Sequence, residues 1–431
     1  MSPELTTVLL LGGLLFLLAV GLEIAIAMGV ITSIAFLFVI NKPLIQIAWS
    51  AWESLNSFTL LAMPLFIFMG SIFAGSGAVR TLFGALDKWI GFLPGGLSSV
   101  VIAANAVFGA ISGSSVAAAA TFSLIAYPEM EKRGYHPRLS IGSIAVGGTL
   151  SVLVPPSLIL IVYGSWENQS VARLFAAAMV PGIILSALLL LTIIIWVKIN
   201  PGLAPKPSRV SWRERFLAIK QMLPWLAVIG IVMGSIFGGL MTPTEASALG
   251  AVLSMVVAWG YGNLRYRLIK DSFLTAVKVT AMIGFVIFAA RLLSFAFQDM
   301  GVTERLSSFI LGLDLGKYGI MLFLVVLYLI LGMFFDSMAM MLLTLPFVMP
   351  VLTKLGFDPI WWGVTFVVLA EIGLITPPFG LNLFTIHGVL PRFSVVFIAK
   401  SSLPLLGTML LMVWILIFFP KLALWLPKIL Y

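Results

Sequence analysis

Residues that could bind an ion are rare in this chain, and they gather at breaks within long apolar stretches. The stretch 108–122 reads FGAISGSSVAAAATF, so that a glycine and three serines at positions 112–115 interrupt an apolar run. A lone carboxylate, Asp336, stands inside GMFFDSMAMMLL and is followed by Ser337. Hydroxyl, carboxylate and main-chain oxygens are the ligands that small hard cations prefer. These two breaks therefore predict cation sites.

Two further breaks contain paired prolines. They are GGTLSVLVPPS at 147–157 and EIGLITPPFGLN at 371–382. Adjacent prolines lack two backbone donors and clash with the preceding helical turn, which leaves main-chain carbonyls without helical partners. Such carbonyls cannot face lipid, so they have to line an enclosed cavity or bind a positive group. Sodium is the cation that this donor set predicts.

The elements that must position these breaks are membrane helices. The chain has 431 residues, 61% of them hydrophobic and 10% charged, and its apolar runs repeatedly approach the roughly 20 residues that span a bilayer. We expect an all-α polytopic membrane protein whose first helix is retained, since MSPELTTVLLLGG lacks the basic start of a secretory signal. Cysteine is absent, which excludes disulfides and thiolate catalysis. The net charge of +9 fits basic cytoplasmic loops better than a nucleic-acid partner.

Basic residues indicate how the chain is threaded. The block at 198–220 is the densest in Lys and Arg, and we place it in the cytoplasm. Basic residues also flank both ends of 97–131, which suggests that this stretch enters and leaves the membrane on one face. It is short for two full passes. The sequence therefore predicts a re-entrant helical hairpin with its tip at the serines.

An internal repeat supports this topology. A shift of 222 residues places Ser115 on Ser337 and the pair Pro155-Pro156 on Pro377-Pro378. Five predicted crossings separate the copies, and an odd number inverts the second copy; they are 139–164, 173–197, 222–240, 246–262 and 273–297. We predict repeat 1 at 1–197, a basic linker at 198–221 and inverted repeat 2 at 222–431. Each repeat contains a hairpin (97–131; 319–354) and a broken helix (139–164; 359–388).

Several polar residues have competing interpretations. The serines could serve close helix packing, and the proline pairs could be simple kinks. Glu371 could be functional or could pair with Arg291, which otherwise needs a cavity. Glu53, near Trp49 and Trp52, fits a membrane interface. In MTPTE, Glu245 is expected to close a helix capping box with Thr242 and so to be structural.

Inverted repeats with broken helices that meet at mid-membrane are typical of secondary transporters. The segments GAISGSSVAAAATF, PEMEKRGY, GGT to PPS and EIGLITPPFGLN resemble the large membrane (M) subunit of a tripartite ATP-independent periplasmic (TRAP) transporter, within the ion transporter superfamily. The resemblance implies an elevator-type transporter in the bacterial cytoplasmic (inner) membrane, driven by sodium ions and using no other cofactor. It also implies three partners: a small four-helix membrane subunit, a periplasmic substrate-binding protein and an organic acid such as a C4-dicarboxylate or sialic acid.

The resemblance also implies site residues. One sodium site would use Ser112, Gly113, Ser114, Ser115, Gly148, Thr149, Pro155 and Pro156. The second would use Asp336, Ser337, Gly373, Thr376, Pro377, Pro378 and Asn382. One position departs from the family pattern, because Ser151 stands where the family often has glycine.

Other classes are less favoured. A self-contained sodium/dicarboxylate symporter of the same superfamily would share the fold and need no binding protein. An intramembrane aspartyl protease needs two facing aspartates, whereas only Asp336 lies in a predicted hydrophobic stretch. No nucleophile or metal spacing is visible, since His136 and His387 stand apart, and the GxxxxGK[ST] motif of an ATP-driven pump is missing. We expect a transporter rather than an enzyme.

Overall fold

The computed structural model describes residues 3–40, 45–206, 210–313 and 315–431. Within these ranges the chain is helical and has no β-strand. The α-helices are α1 (Pro3–Ala19), α2 (Ile24–Ala35), α3 (Ile45–Leu55), α4 (Ala62–Gly75), α5 (Ala78–Ile90), α6 (Leu97–Ser112), α7 (Ser115–Lys132), α8 (Pro137–Leu153), α9 (Leu158–Trp166), α10 (Val171–Ile199), α11 (Trp212–Phe237), α12 (Pro243–Gly260), α13 (Tyr266–Asp299), α14 (Val302–Gly312), α15 (Gly316–Gly332), α16 (Ser337–Lys354), α17 (Pro359–Gly373), α18 (Leu381–Val389), α19 (Val395–Phe418) and α20 (Lys421–Leu430).

Many of these helices are membrane helices. By length and composition, six stretches of the described chain can span a bilayer: Pro137–Trp166, Val171–Ile199, Trp212–Phe237, Tyr266–Asp299, Ser337–Lys354 and Val395–Phe418. Two further pairs of helices are bent at a short break, and the number of spans rises to eight if each pair counts as one span. The predicted all-α polytopic class is confirmed. The sequence analysis predicted a membrane crossing at 246–262, but the corresponding helix, α12, is not among these six stretches. Helix α16, which was predicted as one arm of a hairpin, is among them.

Helix breaks occur at the four polar segments. Hairpin 1 consists of α6 and α7 and turns at Gly113 and Ser114, and hairpin 2 consists of α15 and α16 and turns at residues 333–336. Broken helix 1 is formed by α8 and α9, and broken helix 2 by α17 and α18. The Pro155-Pro156 and Pro377-Pro378 bonds lie within these last two breaks, and both are cis.

Capping boxes define two helix starts. At α12 the Thr242 N–H donates to Glu245 Oε2 (2.8 Å) and the Glu245 N–H donates to Thr242 Oγ1 (3.3 Å), so the structural interpretation of Glu245 is confirmed. At α11 the Ser211 N–H donates to Glu214 Oε2 (3.0 Å) and the Glu214 N–H donates to Ser211 Oγ (3.3 Å). Because of this second box, α11 begins within the predicted linker. Residues 207–209 of that linker lie outside the described residues.

Equivalent helices of the two repeats make equivalent contacts. The 222-residue shift places the start of α7 on the start of α16, and the start of α8 on the start of α17. In each copy the second hairpin arm packs on the broken helix of its own repeat and on the broken helix of the other: α7 contacts α8 and α18, and α16 contacts α17 and α9. The two hairpins and the two broken helices therefore form one interlocked unit.

Each hairpin crosses its broken helix at a glycine. A Cβ on Gly109 of α6 would lie 2.4 Å from the Cα of Ser151 on α8, and a Cβ on Gly373 of α17 would lie 2.5 Å from the Cα of Gly332 on α15. Ser151 Oγ donates to the Asn105 carbonyl (3.1 Å). The Ser151 hydroxyl thus fastens α6 to α8 and makes a structural contact there.

The other helices form a second layer. Helix α4 packs against α12 and α13, and α13 also packs against α2 and α3. Helix α13 is continuous over 34 residues, whereas the α3–α4 segment, which corresponds to it by the 222-residue shift, is bent by 61°. We call α2, α3, α4, α12 and α13 the scaffold layer. It presents one face to the interlocked unit.

The glycine crossing predicts a large effect of a small substitution. Gly109→Ala should lower the thermal stability of the purified protein, because the added methyl group overlaps the α8 backbone and overpacking costs about 1–3 kcal/mol. Gly407→Ala on α19 is the matched control, since nothing lies within 4 Å of its Cβ position. Melting curves in detergent would measure both variants. Equal stability of the two would show that the helices do not cross this closely.

The inverted repeat predicts that Lys132 and Lys354, both exposed at the ends of their hairpins, face opposite sides of the membrane. The chain has no cysteine, so Lys132→Cys and Lys354→Cys provide single labelling sites. An impermeant thiol reagent added to intact spheroplasts should label position 354 and leave position 132 unlabelled until the membrane is opened. Lys220→Cys is the cytoplasmic control. Identical labelling at 132 and 354 would contradict the inversion.

Candidate functional site

A cavity of about 400 Å³ lies where the two hairpin tips approach each other and the scaffold layer. Its walls combine both repeats. Tip residues, the broken helices, and α2 and α13 of the scaffold layer all contribute. The residues discussed below that line it are Glu23, Gly113, Ser114, Ser115, Val279, Met282, Ile283, Val286, Asp336, Ser337 and Glu371. Five of the residues predicted for the two sodium sites are therefore brought to one cavity.

Both tips present a capped helix N-terminus. Ser114 Oγ accepts from the Ala117 N–H (3.3 Å) at the start of α7. Asp336 Oδ1 accepts from the N–H groups of Met338 (2.9 Å) and Ala339 (3.2 Å) at the start of α16. Ser114 and Asp336 correspond under the 222-residue shift, so both copies of the repeat have a helix break followed by a side chain that caps the next helix. Asp336 has a local structural role in addition to any ligand that it binds.

Glu371 connects the two tips. Its side chain is 1% exposed, and its Oε1 accepts from Ser337 Oγ (3.3 Å). Ser115 lines the same cavity as this carboxylate. Oε2 of Glu371 has no hydrogen-bond partner among the described residues. Ser115 and Ser337 are equivalent positions of the two repeats, so the buried carboxylate lies at a cavity that both hairpins share.

The sequence analysis left Glu371 open between a functional role and a pairing with Arg291; that pairing is not observed among the described residues. Two features of the sequence point to Glu371: it is the first residue of the second proline motif, and it corresponds to the predicted ligand Thr149 under the 222-residue shift. Glu23 and the apolar α13 wall carry no sequence signal, because only the tertiary fold brings them to the tips.

Two predicted ligands have unsatisfied buried polar atoms close to the cavity. Ser112 Oγ has no partner among the described residues, and neither do Oδ1 and Nδ2 of Asn382, which is 0% exposed. Each lies next to a cavity-lining residue, since Ser112 precedes Gly113 and Asn382 follows Leu381. Buried polar groups are nearly always hydrogen-bonded. Unpaired oxygens at this place are suitable donors for a cation.

The remaining predicted ligands are not part of the cavity lining. Thr149 Oγ1 donates to the Val146 carbonyl (2.6 Å) and faces Met409 of α19 (3.5 Å). Thr376 Oγ1 donates to the Ile372 carbonyl (2.7 Å). The others contribute packing or backbone geometry: Gly148 lies against α7, Gly373 lies against α15, Pro155 and Pro156 are buried, and Pro377 and Pro378 are exposed.

Each tip is docked on the break of its own broken helix. In repeat 2 the Gly380 N–H donates to the Met333 carbonyl (3.3 Å), and the rings of Phe334 and Phe379 lie 5.6 Å apart. In repeat 1 a Cβ on Gly113, whose φ is +58°, would lie 3.1 Å from the Pro156 carbonyl oxygen. The two breaks of repeat 2 thus share a hydrogen bond, and those of repeat 1 pack closely against each other.

The electrostatics of the cavity favour cations. Among the described residues, its lining includes the carboxylates Glu23, Asp336 and Glu371 and contains no Lys, Arg or His. These carboxylates do not form a compact metal cluster, since no group of three His, Cys, Asp or Glu side chains with that geometry occurs in the described chain. Asp336 is the only aspartate that the described part of the chain contributes to the lining, which does not match the pair that an aspartyl protease requires.

A second polar cavity, of about 440 Å³, lies between α3, α9 and α13 and explains the intramembrane arginine. The Arg291 guanidinium lies 3.9 Å from the centroid of the Trp166 ring and donates to the Trp166 carbonyl (3.3 Å). Glu53 lines this cavity too. Burial raises the pKa of Glu167, in the adjoining loop, to about 7, although Arg291 opposes the shift.

Comparison with known proteins agrees with this architecture. The family model described as the DctM component of tripartite ATP-independent periplasmic transporters matches residues 11–422. The chain is 31% identical over 456 residues to the C4-dicarboxylate TRAP transporter large permease protein DctM of Vibrio cholerae serotype O1, covering 100% of this chain and 98% of that protein. It is 29% identical over 422 residues to the sialic acid TRAP transporter large permease protein SiaM of the same organism, covering 97% of each.

Among solved structures, the Alcanivorax borkumensis YdaH transporter aligns with a TM-score of 0.56 at 13% identity and covers 98% of each chain. This likeness concerns the fold alone. The family match spans nearly the whole sequence, and the helices are those of a multi-pass protein of the inner membrane. The chain belongs to the DctM family, the large permease component of TRAP transporters.

Proposed function

We propose that this permease imports an organic acid, such as a C4-dicarboxylate, sialic acid or a related carboxylate, driven by sodium and by an elevator mechanism. The observation that carries the proposal is the cavity between the two hairpin tips. It combines three carboxylates, unpaired buried oxygens nearby and no basic side chain in its lining. Relatives named for C4-dicarboxylate and sialic acid transport support the substrate class.

Charge explains why such a cavity would couple two solutes. A carboxylate substrate is repelled by Glu23, Asp336 and Glu371, and the repulsion is strong in a low-dielectric interior. Sodium ions bound at the tips, by oxygens such as those of Ser112, Asp336 and Asn382, would remove this repulsion. The N-termini of α7 and α16 then offer partial positive charge to the anion. Substrate binding would follow cation binding, which is the basis of obligatory coupling.

The position of the cavity supports the elevator mechanism. On the scaffold side it is walled by Glu23 at the start of α2 and by apolar residues of α13, which are Val279, Met282, Ile283 and Val286. The opposite wall belongs to the interlocked hairpins and broken helices. An apolar face makes few directional bonds, so the interlocked unit can slide along it without breaking hydrogen bonds. The proposed partners are a small membrane subunit, which would extend the scaffold layer, and a periplasmic substrate-binding protein.

The sodium proposal predicts the effect of Asp336→Asn. Asparagine caps helices about as well as aspartate, so the fold should persist while the negative charge at the cavity is lost. In proteoliposomes containing the complete transporter, the sodium concentration for half-maximal uptake should rise about tenfold or more, equivalent to about 1.4 kcal/mol.

Asp358→Asn is the matched control, because Asp358 Oδ1 caps α17 in the same way (2.8 Å to Ile360 N) and lies outside the cavity lining. The control should keep the sodium dependence of the unaltered protein. An unchanged sodium dependence in Asp336→Asn would show that Asp336 caps α16 and does not bind sodium.

The tripartite proposal predicts that the binding protein is obligatory. Proteoliposomes with both membrane subunits should take up the acid only when the substrate-loaded binding protein is added to the outer solution, because it delivers the ligand to the cavity. Uptake of the radiolabelled acid would measure this. Robust uptake without the binding protein would instead identify a self-contained symporter.

A further inference from the structure

Arg291 lies in the second polar cavity, which the function proposed above does not use. We propose that this cavity is an entry site, where Arg291 binds a hydroxylated monocarboxylate such as a sugar acid before the acid reaches the hairpin tips. The role of the site in import rests on the proposed function, whereas binding of the acid does not. The inference also narrows the substrate class to acids with one carboxylate and several hydroxyl groups.

Arg291 has the donors that a carboxylate needs. Its guanidinium lies 3.9 Å from the centroid of the Trp166 ring and donates one hydrogen bond, to the Trp166 carbonyl (3.3 Å). It forms no ion pair with any described residue, although Glu53 and Glu167 act on it electrostatically. A guanidinium has five N–H donors and binds a carboxylate through two of them. Trp166 therefore positions the guanidinium, and donors remain for a ligand.

The rest of the lining suits hydroxyl groups. Most of its side chains are polar and uncharged, and they include Asn56, Ser57, Ser165, Asn168, Ser294 and Gln298. Amides and hydroxyls both donate and accept, so they can bond to the hydroxyl groups of a sugar acid in either direction. Glu53 is the one acid that the described residues contribute to this lining. It accepts from hydroxyls and repels a second carboxylate, so the lining favours a hydroxylated monocarboxylate over a C4-dicarboxylate.

The second cavity continues the tip cavity along the same two helices. The tip cavity is lined by residues 158–159 of α9 and by residues of α13 between 279 and 286. The second cavity is lined by residues of α9 between 162 and 166 and by residues of α13 between 287 and 298. Arg291 is five residues beyond the last α13 residue of the tip cavity, about 8 Å along a helix. An acid bound at Arg291 therefore lies next to the cavity at the tips.

The second cavity is open at the ends of these helices. Asn168, just beyond α9, and Gln298, near the end of α13, are exposed and line it. One predicted crossing separates Asn168 from the basic block at 198–220, and three separate Gln298 from it. Both numbers are odd, so the predicted threading places both residues on the periplasmic side. Arg291 would attract an anion that arrives there, whereas the carboxylates at the tips repel it until sodium is bound.

Sodium-free binding tests this site without transport. The purified full-length permease, in detergent and choline chloride, should bind radiolabelled gluconate, because the tips accept an anion only after sodium. Arg291→Gln should weaken this binding about tenfold or more, equivalent to about 1.4 kcal/mol. Arg173→Gln is the matched control, since Arg173 is exposed in the first turn of α10 and lies outside the cavity lining. Absence of sodium-free binding, or equal affinity of Arg291→Gln and the control, would overturn the proposal.

Competition tests the substrate class. Sialic acid should displace the gluconate, and succinate should compete at least tenfold more weakly because Glu53 repels its second carboxylate. Glu53→Gln should strengthen competition by succinate, which a merely structural role of Glu53 would not do. Glu53 is exposed, so this variant keeps the proposal testable if Arg291→Gln does not fold. Succinate that competes as well as sialic acid with the unaltered protein would contradict the inferred class.

Uptake separates this inference from the proposed function. Sodium-free gluconate binding that depends on Arg291, in a transporter without sodium-driven uptake, would refute the proposed function and leave the entry site intact. Sodium-driven uptake by a permease whose sodium-free binding is unaffected by Arg291→Gln would leave the proposed function intact and refute the entry site.

Discussion

Polar main-chain and side-chain groups within a bilayer have to find their partners inside the protein, and the rest of this structure depends on that constraint. Four helix breaks lie in apolar surroundings, and none of them is satisfied alone. The Gly380 N–H bonds to Met333 at the opposite break of its repeat, and Gly113 closes on the Pro156 carbonyl. The glycine crossings at Gly109 and Gly373 bring the helices close enough for this exchange. The polar groups at the breaks therefore depend on the packing of the hairpins against the broken helices.

The same constraint shapes the charge of the cavity. Lipid cannot solvate a carboxylate, so Asp336 is stabilised by the backbone donors of α16 and Glu371 by the Ser337 hydroxyl. Neither arrangement supplies a positive charge. In the proposed function, sodium ions from solution would supply the compensating charge. The proposed ion coupling agrees with this composition, since bound cations would reduce the repulsion between the cavity carboxylates and an anionic substrate.

Local chemistry explains which features were predictable. The breaks, the hairpin tips and the capping box at Thr242 follow from Gly, Pro, Ser and Glu acting on nearby backbone, and the repeat follows from equal spacing. Side-chain direction is set by helix rotation against distant neighbours, which no local pattern contains. Thr149 therefore faces α19 although its motif resembles a ligand site. For the same reason Glu371 was left open between two roles, since its hydrogen-bond donor, Ser337, is remote in sequence.

The two copies share local chemistry but occupy different surroundings. The Pro155-Pro156 break is buried, whereas the Pro377-Pro378 break is exposed. Inverted copies of one motif cannot face the same compartment, so any single conformation has to bury one break more deeply than the other. The contacts of α7 with α18 and of α16 with α9 are equivalent in the two repeats. The proposed elevator movement would exchange the surroundings of the two breaks, and this equivalence is consistent with such an exchange.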